Sequence, residues 1–219
     1  MLTKTQIQQQ VAKARSDDYS KRNFQQSFEL VLKLKDIDVK KTDLNINEVV
    51  FLPNKAADQA KVCVFAGGDT ALRAQKAGAD RVIESGELDR FASEKRTAKK
   101  LAREYQFFMA ETSLMPKIGK VLGQFLGPKG RMPTPIPPAA PVEQMLTRYR
   151  AAVRIRARGS LSVAGKIGDE SLDDSKLAEN ALSVINQVEK KLPNGEKNIR
   201  SIVVKKTMGK LSQIRMVED

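Results

Sequence analysis

The chain has 219 residues, enough for two modest domains, and its 41% hydrophobic and 30% charged residues fit a folded soluble protein and exclude wholesale disorder. Lysine and arginine number 39 against 26 acids, a net charge of +13 whose positive field draws in polyanions, nucleic acid first among them. Histidine is absent and Cys63 is the only cysteine, which excludes most hydrolase triads, cysteine-based zinc sites and an internal disulfide, and fits a reduced cytoplasm.

The start, Met1-Leu2-Thr3-Lys4-Thr5-Gln6, lacks an apolar signal core, and no run of about 18 apolar residues is present to span a bilayer, so no membrane partner is expected. Residues 3–18 read as an amphipathic helix with Ile7, Val11 and Ala14 on one side. From Phe28 to Lys35 the pattern alternates, Phe28, Leu30, Leu32 and Leu34 against Glu29, Val31, Lys33 and Lys35, which predicts a half-buried strand. Glu48 to Leu52 reads as a second strand that Pro53-Asn54 ends.

From Lys61 the character changes to short apolar strands alternating with helices, the pattern of an α/β layer with parallel pairing. Val62 to Ala66 is a strand, Gly67-Gly68 a turn, and Thr70 to Ala77 a helix stopped by Gly78. Val82-Ile83 is a short strand. Leu88 to Tyr105 reads as one long helix with Leu88, Phe91, Ala98, Leu101 and Tyr105 inward and Arg96, Lys99, Lys100 and Arg103 outward. Phe107 to Met109 is the next strand and Pro116 to Phe125 another helix. Five of the nine prolines fall within Pro133 to Pro141, which predicts a stiff extended loop outside helix or sheet. Val142 to Ala152 resumes as helix and Val153 to Arg156 as strand, and near residue 154 the α/β layer ends.

The last third carries one well-marked helix with Leu177, Ala181, Ile185, Val188 and Leu192 on a stripe, Ser171 and Asp174 as its caps, and Pro193-Asn194-Gly195 at its end. A strand follows from Ile199 to Thr207, with Ile202 and Val204 on one side and Ser201, Val203, Lys205 and Thr207 on the other. Ser201, Lys205 and Thr207 offer hydroxyl and ammonium donors, and Gly209 lets another backbone approach closely, a surface suited to RNA phosphates and 2′-hydroxyls. Residue types alone favour the plainer reading of a solvated strand edge with a glycine turn. The basic surplus is spread, 10 bases to 8 acids over 1–60, 16 to 9 over 61–153 and 13 to 9 over 154–219, so it belongs to folded surfaces rather than to a basic tail.

Three motifs carry a resemblance. Lys205-Lys206-Thr207-Met208-Gly209, Asn23-Phe24-Gln25-Gln26-Ser27-Phe28-Glu29 and Leu126-Gly127-Pro128-Lys129-Gly130-Arg131-Met132-Pro133-Thr134-Pro135 stand in the order in which similar segments occur in the ribosomal protein L-one family. They span nearly the whole chain, and the proline-rich continuation resembles the archaeal type. The resemblance implies an α/β and α+β fold of two domains. A discontinuous split β-α-β domain from both chain ends (1–60 plus 154–219) would bind rRNA, and an inserted Rossmann-like three-layer α/β domain (61–153) would lie between them. It also implies a non-catalytic protein without cofactor or metal, a monomer outside the ribosome, whose partners are large-subunit rRNA at the mobile stalk, tRNA leaving the exit site, and its own mRNA, which it represses.

Carried over by position, the rRNA contacts are Phe24, Ser27, Glu29, Ser201, Thr207, Met208 and Gly209, with Lys205 beside them. Ser27 stands where many relatives have threonine, and Lys210-Leu211-Ser212 stands where many have proline after the glycine. Phe24 would stack or pack against a base, and Glu29 would accept from a 2′-hydroxyl or exocyclic amine. Lys129 and Arg131 beside Gly127 and Gly130 look like a phosphate-gripping loop, and with Arg96, Lys99, Lys100 and Arg103 they form the expected tRNA contact; a solvated helix face and a structural turn is the competing reading.

A nucleotide-dependent α/β enzyme acting on RNA is the alternative. Its support is Gly67-Gly68-Asp69-Thr70 between strand and helix, which lacks the three-glycine spacing, and the loop at Gly127 lacks the Walker pattern. Asp69 is expected as a helix cap, and Cys63 as an inert core residue.

Overall fold

The computed structural model describes residues 3–16, 22–37, 45–57, 59–137 and 140–216. In chain order it contains helix α1 (Lys4–Arg15), strands β1 (Ser27–Leu34), β2 (Asn45–Phe51) and β3 (Val62–Phe65), helix α2 (Gly68–Lys76), strand β4 (Arg81–Ile83), and helices α3 (Ser85–Ser93) and α4 (Lys95–Glu104). There follow β5 (Phe107–Glu111), α5 (Met115–Leu126), β6 (Thr134–Ile136), α6 (Val142–Arg150), β7 (Ala152–Arg158), β8 (Ser162–Asp169), α7 (Asp174–Glu189), β9 (Ile199–Lys206) and β10 (Ser212–Arg215). Two compact units result: Met1–Asp58 with Ala151–Asp219, and Gln59–Arg150. The crossings lie slightly before the expected ones because the strand that re-enters the first unit already begins at Ala152.

Among the described residues the first unit is a six-stranded antiparallel sheet in the order β10-β9-β1-β8-β7-β2. Helices α1 and α7 pack on each other and against one face of it. The alternation in β1 does what its period requires: Phe28, Leu30, Leu32 and Leu34 are buried beneath the helices, with Ile202 and Val204 of β9 beside them. Helix α1 starts at a capping box, where the Thr3 hydroxyl accepts from the Gln6 amide at 3.4 Å and the Gln6 side chain accepts from the Thr3 amide at 3.1 Å. Its buried Ile7 and Val11 each contribute about 1.5–3 kcal/mol by leaving water.

The start of α7 differs from expectation. Its N-cap is Asp173 without a side-chain bond; Ser171 instead donates to Asp169, and Asp174 accepts from Arg15 Nε at 2.6 Å. Strands β8 and β10 were not foreseen. In β8 only Val163 and Ile167 supply the apolar rhythm and Gly165 breaks it, packing its bare backbone against Ile155 and Val153. β10 is short and polar, held as an edge strand by pairing with β9.

The second unit is a parallel sheet in the order β4-β3-β5-β6, with α2 and α6 on one face and α3, α4 and α5 on the other, the three-layer arrangement expected of it. Alternate residues of β3 serve both layers: Cys63 and Phe65 join the core under α3 to α5. Two expectations are corrected. The long helix breaks at Glu94 (φ −100°, ψ 76°), because Glu94 and Lys95 stand where Phe91 needs an apolar successor one turn on. The proline loop contains β6, whose Pro135 pairs with Ala110; β6 is the sheet edge, where a missing N–H facing outward costs no ladder bond.

Candidate nucleic-acid interface

Because α1 and α7 cover one face of the six-stranded sheet, the strand period sends the alternate side chains of each strand to the other. That open face carries Glu29, Val31 and Lys33 from β1, Lys166 from β8, Arg154, Arg156 and Arg158 from β7, Val203 and Lys205 from β9, and Gln213 and Arg215 from β10. Cations dominate it. Its one carboxylate among these residues, Glu29, lies in register between Lys205 and Lys166, with its Oε2 3.7 Å from the Lys205 ammonium.

At one end of this face the two remote segments of the chain are joined. The Thr207 amide and hydroxyl both donate to the Ser27 carbonyl, at 3.0 and 3.2 Å, and the Met208 amide donates to Gln26 Oε1 at 3.0 Å. Gln26 is buried, and its own amide donates to Glu170 Oε2 at 2.9 Å. Lys206, also buried, donates to the Arg15 carbonyl at 3.2 Å and lies 3.9 Å from Glu170. The Arg15 guanidinium stacks over the Phe28 ring at 5.2 Å. This frame holds its polar groups with internal partners, so what it presents outward is apolar: Phe24 is 54% exposed and Met208 51%. A phenyl ring and a thioether held on a braced backbone are stacking surfaces for bases. Phe24 is thus not a core residue.

Of the residues carried over from the resemblance, Phe24, Ser27, Glu29, Lys205, Thr207, Met208 and Gly209 fall on this end or the adjoining open face. Ser201 needs correction. It shares the open face by parity but is only 1% exposed, flanked in register by Lys33 and Arg215, so it offers no hydroxyl to solvent. Sequence reasoning passed over Gln26, Lys206 and Arg15 as bracing residues. Gln26 sits inside a quoted motif, but nothing in one sequence shows that its amide would meet Met208.

In the second unit, Arg96, Lys99, Lys100 and Arg103 are exposed along α4. Lys129 and Arg131 are differently engaged. Lys129 donates to the Ala102 carbonyl, and Arg131 to those of Ala102 and Tyr105, all at 3.0 Å, so they close the C-terminus of α4. Partial burial, with Arg131, Arg103 and Lys99 nearby, pushes the Lys129 ammonium pKa down. The glycine loop itself ends α5: the Arg131 amide donates to Leu126 O at 2.9 Å and the Gly130 amide to Gly127 O at 2.8 Å, with Gly130 at φ 62°. Those two amides are spent on the helix and do not form a phosphate cradle.

The alternative of a nucleotide site is equally occupied. The strand order places a switch point between β3 and β5, where doubly wound sheets bind phosphates. There Glu111 puts a carboxylate on the Gly67 amide, at 3.3 Å, at the N-terminus of α2. Asp69 is not the cap; it pairs with Arg73 at 2.7 Å, and the cap position is Gly67. Cys63 is fully buried in β3, and burial pushes its thiol pKa far up. Among the described residues no group of three or more His, Cys, Asp or Glu is placed to hold a metal, and no helix is long and apolar enough to cross a membrane.

The sequence profile of the ribosomal protein L1p/L10e family matches residues 14–210, which covers most of both segments of the first unit and all of the second. The chain belongs to that family. A large ribosomal subunit protein uL1 from Cenarchaeum symbiosum is 48% identical over 211 residues, 96% of each chain. Proteins of the same name from Thermofilum pendens and Archaeoglobus fulgidus are 44% identical over 205 residues and 46% over 189, covering 93% and 86% of this chain and 90% and 88% of theirs. These relatives are named as ribosomal components, not as enzymes, and they are archaeal, in line with the resemblance of the proline-rich segment.

Proposed function

We propose that this chain is a non-catalytic protein of the large ribosomal subunit that works in the cytoplasm, gripping large-subunit rRNA at the mobile stalk through the joined ends of its first unit. The observation that carries this reading is the meeting of Ser27 and Thr207, which sets the exposed Phe24 and Met208 beside a sheet face rich in lysine and arginine. The cations neutralise phosphates without regard to sequence. Specific contacts then come from the rigid end: bases meet Phe24 and Met208, a 2′-hydroxyl or an exocyclic amine is accepted by Glu29 between its two lysines, and Gly209 admits a close backbone. Since Gln26, Lys206 and Arg15 hold that end already bonded, little ordering is left to be done on binding.

The same reading assigns the exposed α4 stripe of Arg96, Lys99, Lys100 and Arg103 to the tRNA that leaves the exit site, with the stalk swinging to assist its release. Lys129 and Arg131 hold that stripe in place. Outside the ribosome the monomer binds a similar structure in its own mRNA and represses translation. A gel-shift titration with a stalk rRNA fragment, a scrambled RNA and duplex DNA tests the core of it. Preference for the stalk fragment is the expected result; equal affinity for all three disposes of it.

A further inference from the structure

The chain has seven methionines and one cysteine, and the fold sorts these sulfurs by access to a dissolved oxidant. Cys63, by residue type the first to be attacked, is fully buried in β3 and closed off. The thioethers are then the oxidisable groups. Met109 is fully buried in β5, Met115 and Met216 pack partly buried against the two cores, and Met145 is half-buried. Among the described residues only Met208 and Met132 stand open, at 51% and 41% exposure. Their settings differ. Met132 lies between α5 and β6 in the second unit, whereas Met208 follows Thr207 at the junction of the two chain ends. There the backbone is what is fastened: the Met208 amide donates to Gln26 Oε1 and the Gly209 amide to the Lys206 carbonyl, both at 3.0 Å. The Met208 side chain belongs to neither hydrophobic core, so its sulfur can change without disturbing the packing.

We infer that Met208 is a reversible oxidation site for hydrogen peroxide, whose conversion to the sulfoxide releases RNA while the fold stays intact. The Met208 sulfur lone pair attacks one peroxide oxygen, the O–O bond breaks as the S–O bond forms, and the departing hydroxide takes up a proton to become water. Sulfur loses two electrons and the peroxide gains them. The product replaces an apolar, polarisable surface with a dipole that ends in an oxygen acceptor. Water solvates that oxygen, whereas the face of a base offers it no donor and a phosphate repels it. The link from Thr207 to Ser27 survives, because it is made by the Thr207 amide and hydroxyl. Two sulfoxide reductases, one for each epimer at sulfur, return the thioether with two electrons from a dithiol and release the oxygen as water. The inference rests on the proposed rRNA binding and adds a chemical control to it.

The test treats the full-length parent, Met132→Leu and Met208→Leu with hydrogen peroxide and maps the sulfoxides by peptide mass spectrometry. Filter binding to the stalk rRNA fragment and urea unfolding are measured before and after. Met208 and Met132 are expected to gain oxygen well before Met109. The treated parent and treated Met132→Leu should each bind about tenfold more weakly than before treatment, the scale of one lost stacking contact. Met208→Leu, compared only with its own untreated form, should change by less than about twofold, since the sulfur at that position is gone. The urea midpoint of the treated parent should hold, and both reductases with dithiothreitol should restore its binding. An equal loss in Met208→Leu overturns the inference. So does binding that survives full conversion of Met208, oxidation of Met109 as early as Met208, or a loss that comes with a lowered urea midpoint. Each of these leaves the rRNA reading standing if the untreated parent prefers the stalk fragment to scrambled RNA. No such preference in the untreated parent sinks the rRNA reading, and the switch goes with it.

Discussion

Thr207 donates twice to a single acceptor, its amide and its hydroxyl both reaching the carbonyl of Ser27 across a sequence separation of 180 residues. The amide bond continues the β1–β9 ladder by one residue, and the hydroxyl doubles it on the exposed side. The hydroxyl is therefore not needed to fold the sheet, and Met208, next along, is half exposed.

Thr207→Val and Met208→Ala are each expected to weaken binding to the stalk rRNA about tenfold, the equivalent of about 1.4 kcal/mol. Unfolding free energies should stay within about 0.5 kcal/mol of the parent, as for other exposed positions. Filter binding together with urea unfolding separates the two; parental affinity in both variants would count against the assigned contact surface.

Asn180 predicts the opposite pattern. Buried in α7, it donates to the carbonyls of Asn54 and Ile167 at 2.9 and 2.7 Å and accepts from the Asn54 amide at 3.0 Å. Asn180→Ala strands three backbone groups, at about 1 kcal/mol or more each, so a loss of about 2–4 kcal/mol is expected in urea unfolding. A change below about 1 kcal/mol would mean that these bonds carry little.

The Glu179 carboxylate accepts from Lys4 Nζ at 2.7 Å and from Asn54 Nδ2 at 2.8 Å, and these two bonds hold its pKa below the ordinary carboxylate range. A depressed folded pKa adds stability above the carboxylate's unfolded pKa, and that stability is lost as pH falls through the folded one. The melting-temperature gap between the parent and Glu179→Gln should therefore be widest near neutrality and close in acid. A gap that widens in acid would reverse the sign and refute the assignment.

Cys63 should be silent. With no exposed surface and a thiol kept protonated by burial, it is expected to resist a disulfide-exchange reagent at pH 8 in the native protein and to react at once in denaturant. Rapid labelling of the native chain would place it outside the β3 core.

Much of the fold was legible where burial is one-sided. The period-2 run in β1 and the stripe Leu177, Ala181, Ile185, Val188 on α7 announce themselves because each buries one face against a single layer. β8 escaped because glycines stand where its apolar beats belong, and β10 because an edge strand needs no apolar face. The break at Glu94 and the strand at Pro135 depend on neighbours: a core that offers Glu94 nothing, and an outermost position that forgives Pro135.

The sequence by itself determined the charge that calls for a polyanion, the absence of catalytic histidine and paired cysteine, the two kinds of layer, and, through three motifs, the family. Those are properties of residue type and local spacing. Only tertiary structure decided which of the named residues reach solvent. It buried Ser201 between Lys33 and Arg215, turned Lys129 and Arg131 onto the end of α4, and left Phe24 and Met208 bare beside Ser27. Exposure and hydrogen-bond satisfaction are set by the strands and helices that arrive from elsewhere in the chain, and that long-range pairing is not encoded in the spacing of any one segment.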